Sequence, residues 1–466
     1  MTTSLLWIDS MRAATGLDAL TSDELIASHS YDWWPLASKW RAQGKQPHAP
    51  EAVVFARSTD DVVRLLRWAN DAAVPVTAWG LGSSVTGAPL PIHGGVVLDL
   101  SEMSRLLDVN DINLTVTVEA GIKGDYLEYL LNERGYSLNH SPQSLDRSTA
   151  GGWVATRATG QFSSRYGGIE DALVSAEIVL ADGTVVQTRH TPRAAIGPDL
   201  KSVFIGSEGT LGIVTRLTLK IYPLAPFRRF EALRFDQLED GLTAMRLISR
   251  AGLRPFLVRY YDADEARHAM VDRAFQGNAM FLGFEGPQEV AQAEYAAALE
   301  LCAPYNPALL GSAAVEAWMA RRYDFSTVEA RLRAVGGYAE TIEVAHFWDG
   351  ILPTYHAMKS ALRPLAEEVL GHFSHVYPQG TSLYMILLGQ AADDAEAEQR
   401  IRQIWDVAMN TALQTGAVTS HHHGAGLARL PYLAADLGSG MNVLQAIKRA
   451  LDPNGILNPG KLGLTP

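Results

Sequence analysis

Three consecutive histidines, His421, His422 and His423, stand in the run TSHHHGAGLARLPY (residues 419–432), between a small-residue stretch and a glycine-rich turn. Imidazole is the side chain whose ordinary pKa lies nearest neutrality. The run could therefore supply a general base that takes a proton from carbon or oxygen, or it could ligate a metal ion. An affinity tag does not explain it, because the run is internal and only three residues long. A shared metal is disfavoured on the expectation that adjacent residues on a strand point to opposite faces, so three in a row cannot serve one ion. What the imidazoles do depends on three glycine-rich turns far upstream.

The first turn is PVTAWGLGSSVTGAP (residues 75–89), directly after a strand-like run. Gly80 and Gly82 let backbone approach a ligand, and the hydroxyls of Ser83, Ser84 and Thr86 with successive N–H groups could surround an anion such as a pyrophosphate. It is neither a G-x-G-x-x-G fingerprint, since position 85 is Val, nor a lysine-containing phosphate loop. The second, HSPQSLDRSTAGGWVATRATGQFSSRYGGIED (residues 140–171), interleaves Ser, Thr and Gly with apolar residues more densely than surface loops do. The third, GSEGTLGIVT (residues 206–215), leads into a strand. Its acid, Glu208, could bond an adenosine or ribose edge or fix the turn. Each alone is also compatible with a plain structural turn.

These turns must be carried by regular elements, and the pattern supplies them. VVF followed by Ser58, Thr59, Asp60 and Asp61 reads as a strand and a capped helix, with Val62, Leu65, Leu66 and Ala69 at helical spacing. GGVVLDLS and LTVTVEAG are strands, and KGDYLEYLLNERG is a helix stopped by Gly135. LVSAEIVLADGTVVQT is a hairpin turning at Asp182-Gly183. From about residue 224 helices alternate with short strands, and GSGMNVLQAIKRALDPNGILNPGKLG ends the chain as a helix and turns. The expected organisation is a helical leader (1–45), an α+β nucleotide domain (46–223), a cap domain (224–425) and a C-terminal return segment (426–466). SAAVEAWMARRYDF (residues 312–325) reads as a mobile cap element without an assigned place.

The bulk numbers set limits. A chain of 466 residues exceeds the size at which single cores stop growing, so two domains are expected. The formal charge of -12 argues against a nucleic-acid binder. The single cysteine, Cys302, excludes an internal disulfide and any Cys-rich metal or iron–sulfur centre. No apolar stretch reaches the roughly 18 residues of a membrane span, and no signal peptide is apparent. A cytoplasmic protein is expected.

Taken together, GLGSS, STAGGWVATRATG with YGGIED, GSEGTLGIVT and DPNGILNPGK resemble the FAD-binding fold shared by vanillyl-alcohol oxidase and p-cresol methylhydroxylase (PCMH), from residue 45 to the C-terminus. PQSLDRSTAGGWVATRATG with TSHHHGAG is most similar to the alkylglycerone-phosphate synthase subgroup. The resemblance implies an α+β fold: a PCMH-type FAD-binding domain of two α+β subdomains, with an α+β cap built on an antiparallel sheet. It implies that Ala78, Trp79, Gly80, Leu81, Gly82, Ser83 and Ser84 hold the pyrophosphate of FAD. Pro142, Gln143, Ser144, Ser148, Thr149, Gly151 and Gly152, then Ala155, Thr156, Arg157 and Ala158, would follow the flavin and ribityl chain. Gly206, Glu208, Gly209, Gly212 and Ile213 would lie near the adenosine half. Some members attach FAD through a histidine of the first loop. Ser83 stands at that place here, so non-covalent FAD is expected.

The same resemblance sets Tyr384 at the flavin's reactive face as general acid/base, activated by His421, His422 and His423. Arg259 would sit near the flavin or hold an anionic substrate, with an ion pair to Asp262 or Asp264 as the alternative. A further arginine grips phosphate in the synthases. Glu329 falls at that place without a gap, and a small shift recovers Arg331. The D-2-hydroxyacid dehydrogenases, a related branch, carry H-x-G-D-G-N-x-H and E-H-G and often a metal. Here HVYPQGTSLY and HHHG replace them, so no metal is expected. The function implied is an FAD-dependent oxidoreductase moving a hydride to flavin N5 from a C–H beside oxygen or nitrogen, in an alcohol, hydroxy acid, ether or amine. The alternatives are the redox-neutral alkyl transfer of ether-lipid synthesis and D-2-hydroxyacid dehydrogenation; a non-catalytic flavin binder is disfavoured. Partners would be a small-molecule substrate and oxygen or another electron acceptor, with a homodimer expected of the group.

Overall fold

The computed structural model describes residues 4–464. Its first sheet has three parallel strands, with Val96–Asp99 between Ala52–Phe55 and Val76–Trp79. These short apolar strands are almost wholly buried, as expected of a sheet covered on both faces. The helix Thr59–Ala72 crosses between two of them, and Ser58 caps it by accepting from the Asp61 N–H at 3.2 Å. A second sheet is five-stranded and antiparallel, with Thr115–Glu119, Ile213–Lys220 and Leu173–Val179 at its centre. The expected hairpin is present: Val179 pairs with Val185 around Gly183, whose φ of 78° suits the turn. The helix before Gly135 spans Gly124–Asn132.

A seven-stranded antiparallel sheet builds the cap, in the order Ala308–Gly311, Phe227–Phe235, Asn278–Gly286, Leu257–Tyr261, Glu368–Val376, Gly380–Gln390, Gly337–Phe347. Side chains alternate across it. Tyr260, Phe373, Leu383, Met385, Ile342 and Val344 join a core with Met245, Met358 and Ile401 of the covering helices. The residues between them face the other way. Register places Tyr261 opposite His372, His372 opposite Tyr384, and Tyr384 opposite Glu343, one polar row across four neighbouring strands. Directly opposed residues share a face, so the row is set by pairing and not by any one segment.

Two segments outside these sheets act as braces. In the leader, the Trp33 N–H donates to Ser84 O at 2.8 Å, and the Asp32 carboxylate accepts from the Gly87 N–H at 2.8 Å. At the other end, the helix Gly440–Leu451 carries Lys448, buried against Asp452 at 2.5 Å and the Thr210 carbonyl at 2.9 Å. Leu457 then bridges to Val76. The architecture is the expected α+β one. Among the described residues, no helix is long and apolar enough to cross a membrane.

The end of the polar row is tied to the histidine run. Glu343 pairs with Arg429 at 2.9 Å, both side chains fully buried, and accepts from the His423 N–H at 3.0 Å, the Ser420 hydroxyl at 2.9 Å and the His421 N–H. Burial alone would raise the Glu343 carboxyl, but Arg429, His423 and His421 outweigh it and hold it below the usual range. Replacing Glu343 by Ala leaves a buried guanidinium unpaired, so urea unfolding should show a loss of about 3–5 kcal/mol. Because the folded pKa is depressed, this stabilisation is present above the unfolded carboxylate pKa of about 4.3. It is lost as pH falls through the folded value, so the gap between Glu343→Ala and the parent should narrow below that range.

Candidate active site

Facing the polar row across a cavity of about 700 Å³ are the three glycine-rich turns. The first follows the strand Val76–Trp79, and Gly82 takes φ 64° there. A Cβ on Gly80 would meet Thr149 Oγ1 at 2.5 Å, so only glycine lets the first and second turns touch. Thr149 caps the short helix Ala150–Thr156 by accepting from the Gly152 N–H at 3.2 Å. In the third turn the Glu208 carboxylate accepts from the Ala425 N–H at 2.6 Å and the Gly426 N–H at 3.1 Å. Glu208 thus fixes the loop after the histidines, in addition to lining the cavity.

Of the residues expected to hold the cofactor, Ala78, Trp79, Gly80, Leu81, Gly82, Ser83, Ser84, Pro142, Gln143, Ser144, Ser148, Thr149, Gly151, Gly152, Ala155, Thr156, Ala158, Glu208, Gly209, Gly212 and Ile213 line the cavity. Arg157 and Gly206 do not: Arg157 pairs with Glu170 at 3.1 Å with its side chain largely exposed, and Gly206 lies behind it. The lining suits FAD. Small hydroxyls and glycine backbone are the donors a pyrophosphate needs. Gln161 Oε1, Arg322 Nε and His423 Nδ1 are buried in the lining with no protein partner, as polar atoms waiting for a bound polar molecule would be.

On the cap side, Arg259, Tyr384, His422 and His423 reach the cavity. The Tyr384 hydroxyl makes a short contact with His422 Nε2. Burial, reinforced by Glu343, raises the Tyr384 phenol although Arg259 opposes it. Burial lowers His421, His422 and His423, with neighbouring imidazoles adding to the effect on His422, and His423 reaches about 4. The site therefore presents a neutral phenol against a neutral imidazole. His421 sits behind, outside the lining, with its Nδ1 2.8 Å from His422 Nδ1.

The histidine triplet is a bend and not a strand, so pleat alternation does not separate its rings. Ring nitrogens of His375, His421 and His422 lie within 4.8 Å of one another. They are engaged within the protein: His375 Nδ1 with Ser163 Oγ at 2.7 Å, His421 Nε2 with Tyr377 Oη at 2.9 Å, and His422 with Tyr384 and His421.

Arg259 is free of the ion pairs considered for it. Lys359 takes Asp262 and Asp264, the latter at 2.9 Å. Arg259 instead donates to Tyr261 Oη and His372 Nε2, each at 2.8 Å. Arg331 is a correction: it pairs with Glu367 at 3.4 Å outside the lining, and Glu329 pairs with Arg147 and Arg333. The helix Ala313–Arg321 and the residue after it bring Arg321 and Arg322 to the cavity instead. The unplaced cap segment is thus part of the site.

Several lining residues escaped sequence reasoning. His372 stacks on Tyr384 with centroids 4.5 Å apart and bonds Glu265 through Nδ1 at 2.7 Å. His375 sits at a β-bulge with φ 53°, a conformation an ordinary side chain avoids and one that marks functional sites. Trp33 and Pro35 come from the leader. None had a local motif; the one signal available was a polar residue alternating with apolar ones in a buried strand.

Comparison with known proteins agrees with this geometry. Residues 50–189 match an FAD-binding domain and residues 224–462 match the C-terminal domain of FAD-linked oxidases. An uncharacterised FAD-linked oxidoreductase of Escherichia coli (strain K12), YgcU, is 30% identical over 98% of this chain and 97% of its own. The alkyldihydroxyacetonephosphate synthase of Trypanosoma brucei brucei is 28% identical over 91% of this chain and 75% of its own. The p-cresol methylhydroxylase structure superposes with a TM-score of 0.82 at 17% identity, over 100% of this chain and 98% of that one. The two domain matches and the full-length relative place the chain in the FAD-linked oxidase family: it is an FAD-dependent oxidoreductase, with the fold of p-cresol methylhydroxylase.

Proposed function

We propose that the enzyme oxidises a small anionic molecule at a C–H bond beside oxygen or nitrogen. The observation that carries this reading is the buried Tyr384–His422 contact facing the glycine-rich turns. FAD bound there would accept the hydride. Tyr384 would take the O–H or N–H proton of the substrate as its own hydroxyl proton passes to the neutral imidazole of His422. Arg259, Arg321 and Arg322 all line the cavity, and among the described residues none is ion-paired to a carboxylate. Three guanidiniums without a carboxylate partner in a chain of net charge -12 favour a carboxylate- or phosphate-bearing substrate. Arg321, which otherwise donates only to the Ala269 carbonyl, is a candidate grip for that group.

Redox-neutral alkyl transfer is the second reading. It is favoured by an apolar arm of the cavity lined by Val328, Leu332, Ala339, Leu370, Ile386 and Leu388, which suits a long alkyl chain.

Anaerobic mixing with alcohols, hydroxy acids, ethers and amines separates the two. Lasting bleaching of the flavin absorbance by one class supports oxidation. No bleaching by any, together with alkyl exchange on an acylated dihydroxyacetone phosphate, supports transfer. Tyr384→Phe and His422→Ala should keep the yellow colour yet lose roughly 10²–10⁴-fold in turnover, and full activity in both would refute the assigned roles. Arg321→Ala should raise KM for the anionic substrate about 10- to 100-fold with kcat little changed, the effect of losing a charged hydrogen bond. Because Ser83 offers no attachment point, acid precipitation should leave all the FAD in the supernatant; yellow colour in the pellet would show a covalent link.

A further inference from the structure

The contact between Tyr384 and His422 does not end at His422. His422 Nδ1 lies 2.8 Å from His421 Nδ1, and His421 Nε2 lies 2.9 Å from Tyr377 Oη. Tyr377 is half-buried, at the turn leaving the strand Glu368–Val376, and the exposed Pro378 and Gln379 follow it. Four side chains thus make an unbroken line of three hydrogen bonds from the cavity to a half-buried tyrosine next to exposed residues.

The line has one consistent polarity for outward transfer. Tyr384 donates to His422 Nε2, so His422 carries its proton on Nδ1 and donates to His421 Nδ1. His421 then carries its proton on Nε2 and donates to Tyr377, a half-buried residue followed by exposed ones. With both imidazoles neutral, this assignment gives every contact one donor and one acceptor. Burial keeps them so, since it lowers both rings. Around them, Arg157 and the surrounding imidazoles lower these rings further, and Glu343 opposes this at His421. The other flank of Tyr384 offers no exit. There His372 stacks on the phenol, and its Nε2 faces the Arg259 guanidinium, which has no lone pair to accept a proton.

We propose that Tyr384, His422, His421 and Tyr377 form a proton wire that carries the proton released on substrate oxidation from the cavity to solvent. This rests on the oxidation reading above. Conversion of H–C–O–H to C=O removes one hydride, for which bound FAD would be the acceptor, and one proton. That proton joins the Tyr384 oxygen as the hydroxyl proton of Tyr384 passes to His422 Nε2. The Nδ1 proton of His422 passes to His421 Nδ1, and the Nε2 proton of His421 to the Tyr377 oxygen. Tyr377 releases its own hydroxyl proton to water. One proton enters, one leaves, and no group in the wire is left charged. Glu343, by accepting from the backbone N–H groups of His421 and His423, is the positioning residue that sets the two rings Nδ1 to Nδ1.

Tyr377→Phe keeps the ring and removes the last hydroxyl. With the substrate class that bleaches the parent flavin, single-turnover reduction should slow about tenfold or more. The solvent deuterium isotope effect should rise, and added imidazole buffer should restore the rate. His421→Leu cuts the wire one bond earlier and should show the same rescue. A second readout needs no turnover. In the resting FAD-loaded protein, 15N NMR should show His422 protonated at Nδ1 and His421 at Nε2, and Tyr377→Phe should slow solvent exchange of the His422 ring proton. Parent-like rate, isotope effect and exchange in Tyr377→Phe would overturn the wire, as would a doubly protonated His421 in the parent. Failure of every substrate to bleach the parent flavin would overturn the oxidation reading instead, while the exchange measurement still decides the wire.

Discussion

The buried pairing of Glu343 with Arg429 is the constraint on which the rest of the site hangs. Two full charges with no solvent exposure are costly to desolvate, and their attraction offsets that cost only if the remaining hydrogen-bonding capacity is used. Here it is used on one loop. Arg429 donates to the Thr419 carbonyl at 2.6 Å and the Gly424 carbonyl at 2.8 Å, bracketing the histidines from both sides. Glu343 accepts from backbone N–H groups within the same loop. The result is less a gain in net stability than a single conformation for three adjacent imidazoles that a glycine-flanked bend would otherwise leave free.

That loop is held by the third glycine-rich turn as well. Glu208, in the third glycine-rich turn, is buried with φ 50° and accepts from the Ala425 and Gly426 N–H groups, while Asn458 of the C-terminal segment donates to the Glu208 carbonyl at 2.7 Å. Two carboxylates, one from each side of the cavity, therefore locate the same short stretch of chain. Hydride and proton removal require the cofactor face and the base to keep a fixed separation, and a misplacement of about 1 Å can cost orders of magnitude in rate. Tying the histidine loop to both walls answers that requirement.

The local parts of this design were legible in the sequence. The capped helix after Ser58, the hairpin at Asp182-Gly183 and the three glycine-rich turns each depend on residues a few positions apart, and each appears as expected. What was hidden depends on register. His372, Glu343 and Tyr261 become neighbours of Tyr384 only through pairing of four strands drawn from residues 257–390. The segment YAETIEV did carry a hint, since it sets two acids, Glu340 and Glu343, into a strand that is largely apolar and buried. Arg331 failed for a related reason. Sequence spacing located an arginine near the right strand, but its helix turns it toward Glu367, while Arg321 and Arg322 arrive from the preceding helical segment. The assumption of a strand at residues 421–423 failed because positive-φ glycines at 424 and 426 turn the chain there instead.

The alternation of one sheet also separates what can change from what cannot. A one-residue slip between Glu368–Val376 and Gly380–Gln390 would exchange Tyr384 and His372 for Leu383 and Phe373, burying the polar row in the apolar core and exposing core to the cavity. The chemistry is thus locked to the register that also stabilises the cap. The arginines and the helical part of the apolar arm have no such lock: Arg321 and Arg322 hang on helical segments, and Val328 and Leu332 lie on the helix Ser326–Arg333 beyond them, whereas Ala339, Leu370, Ile386 and Leu388 belong to the sheet. Substrate recognition can therefore drift by substitution on those segments while the proton-handling row stays fixed.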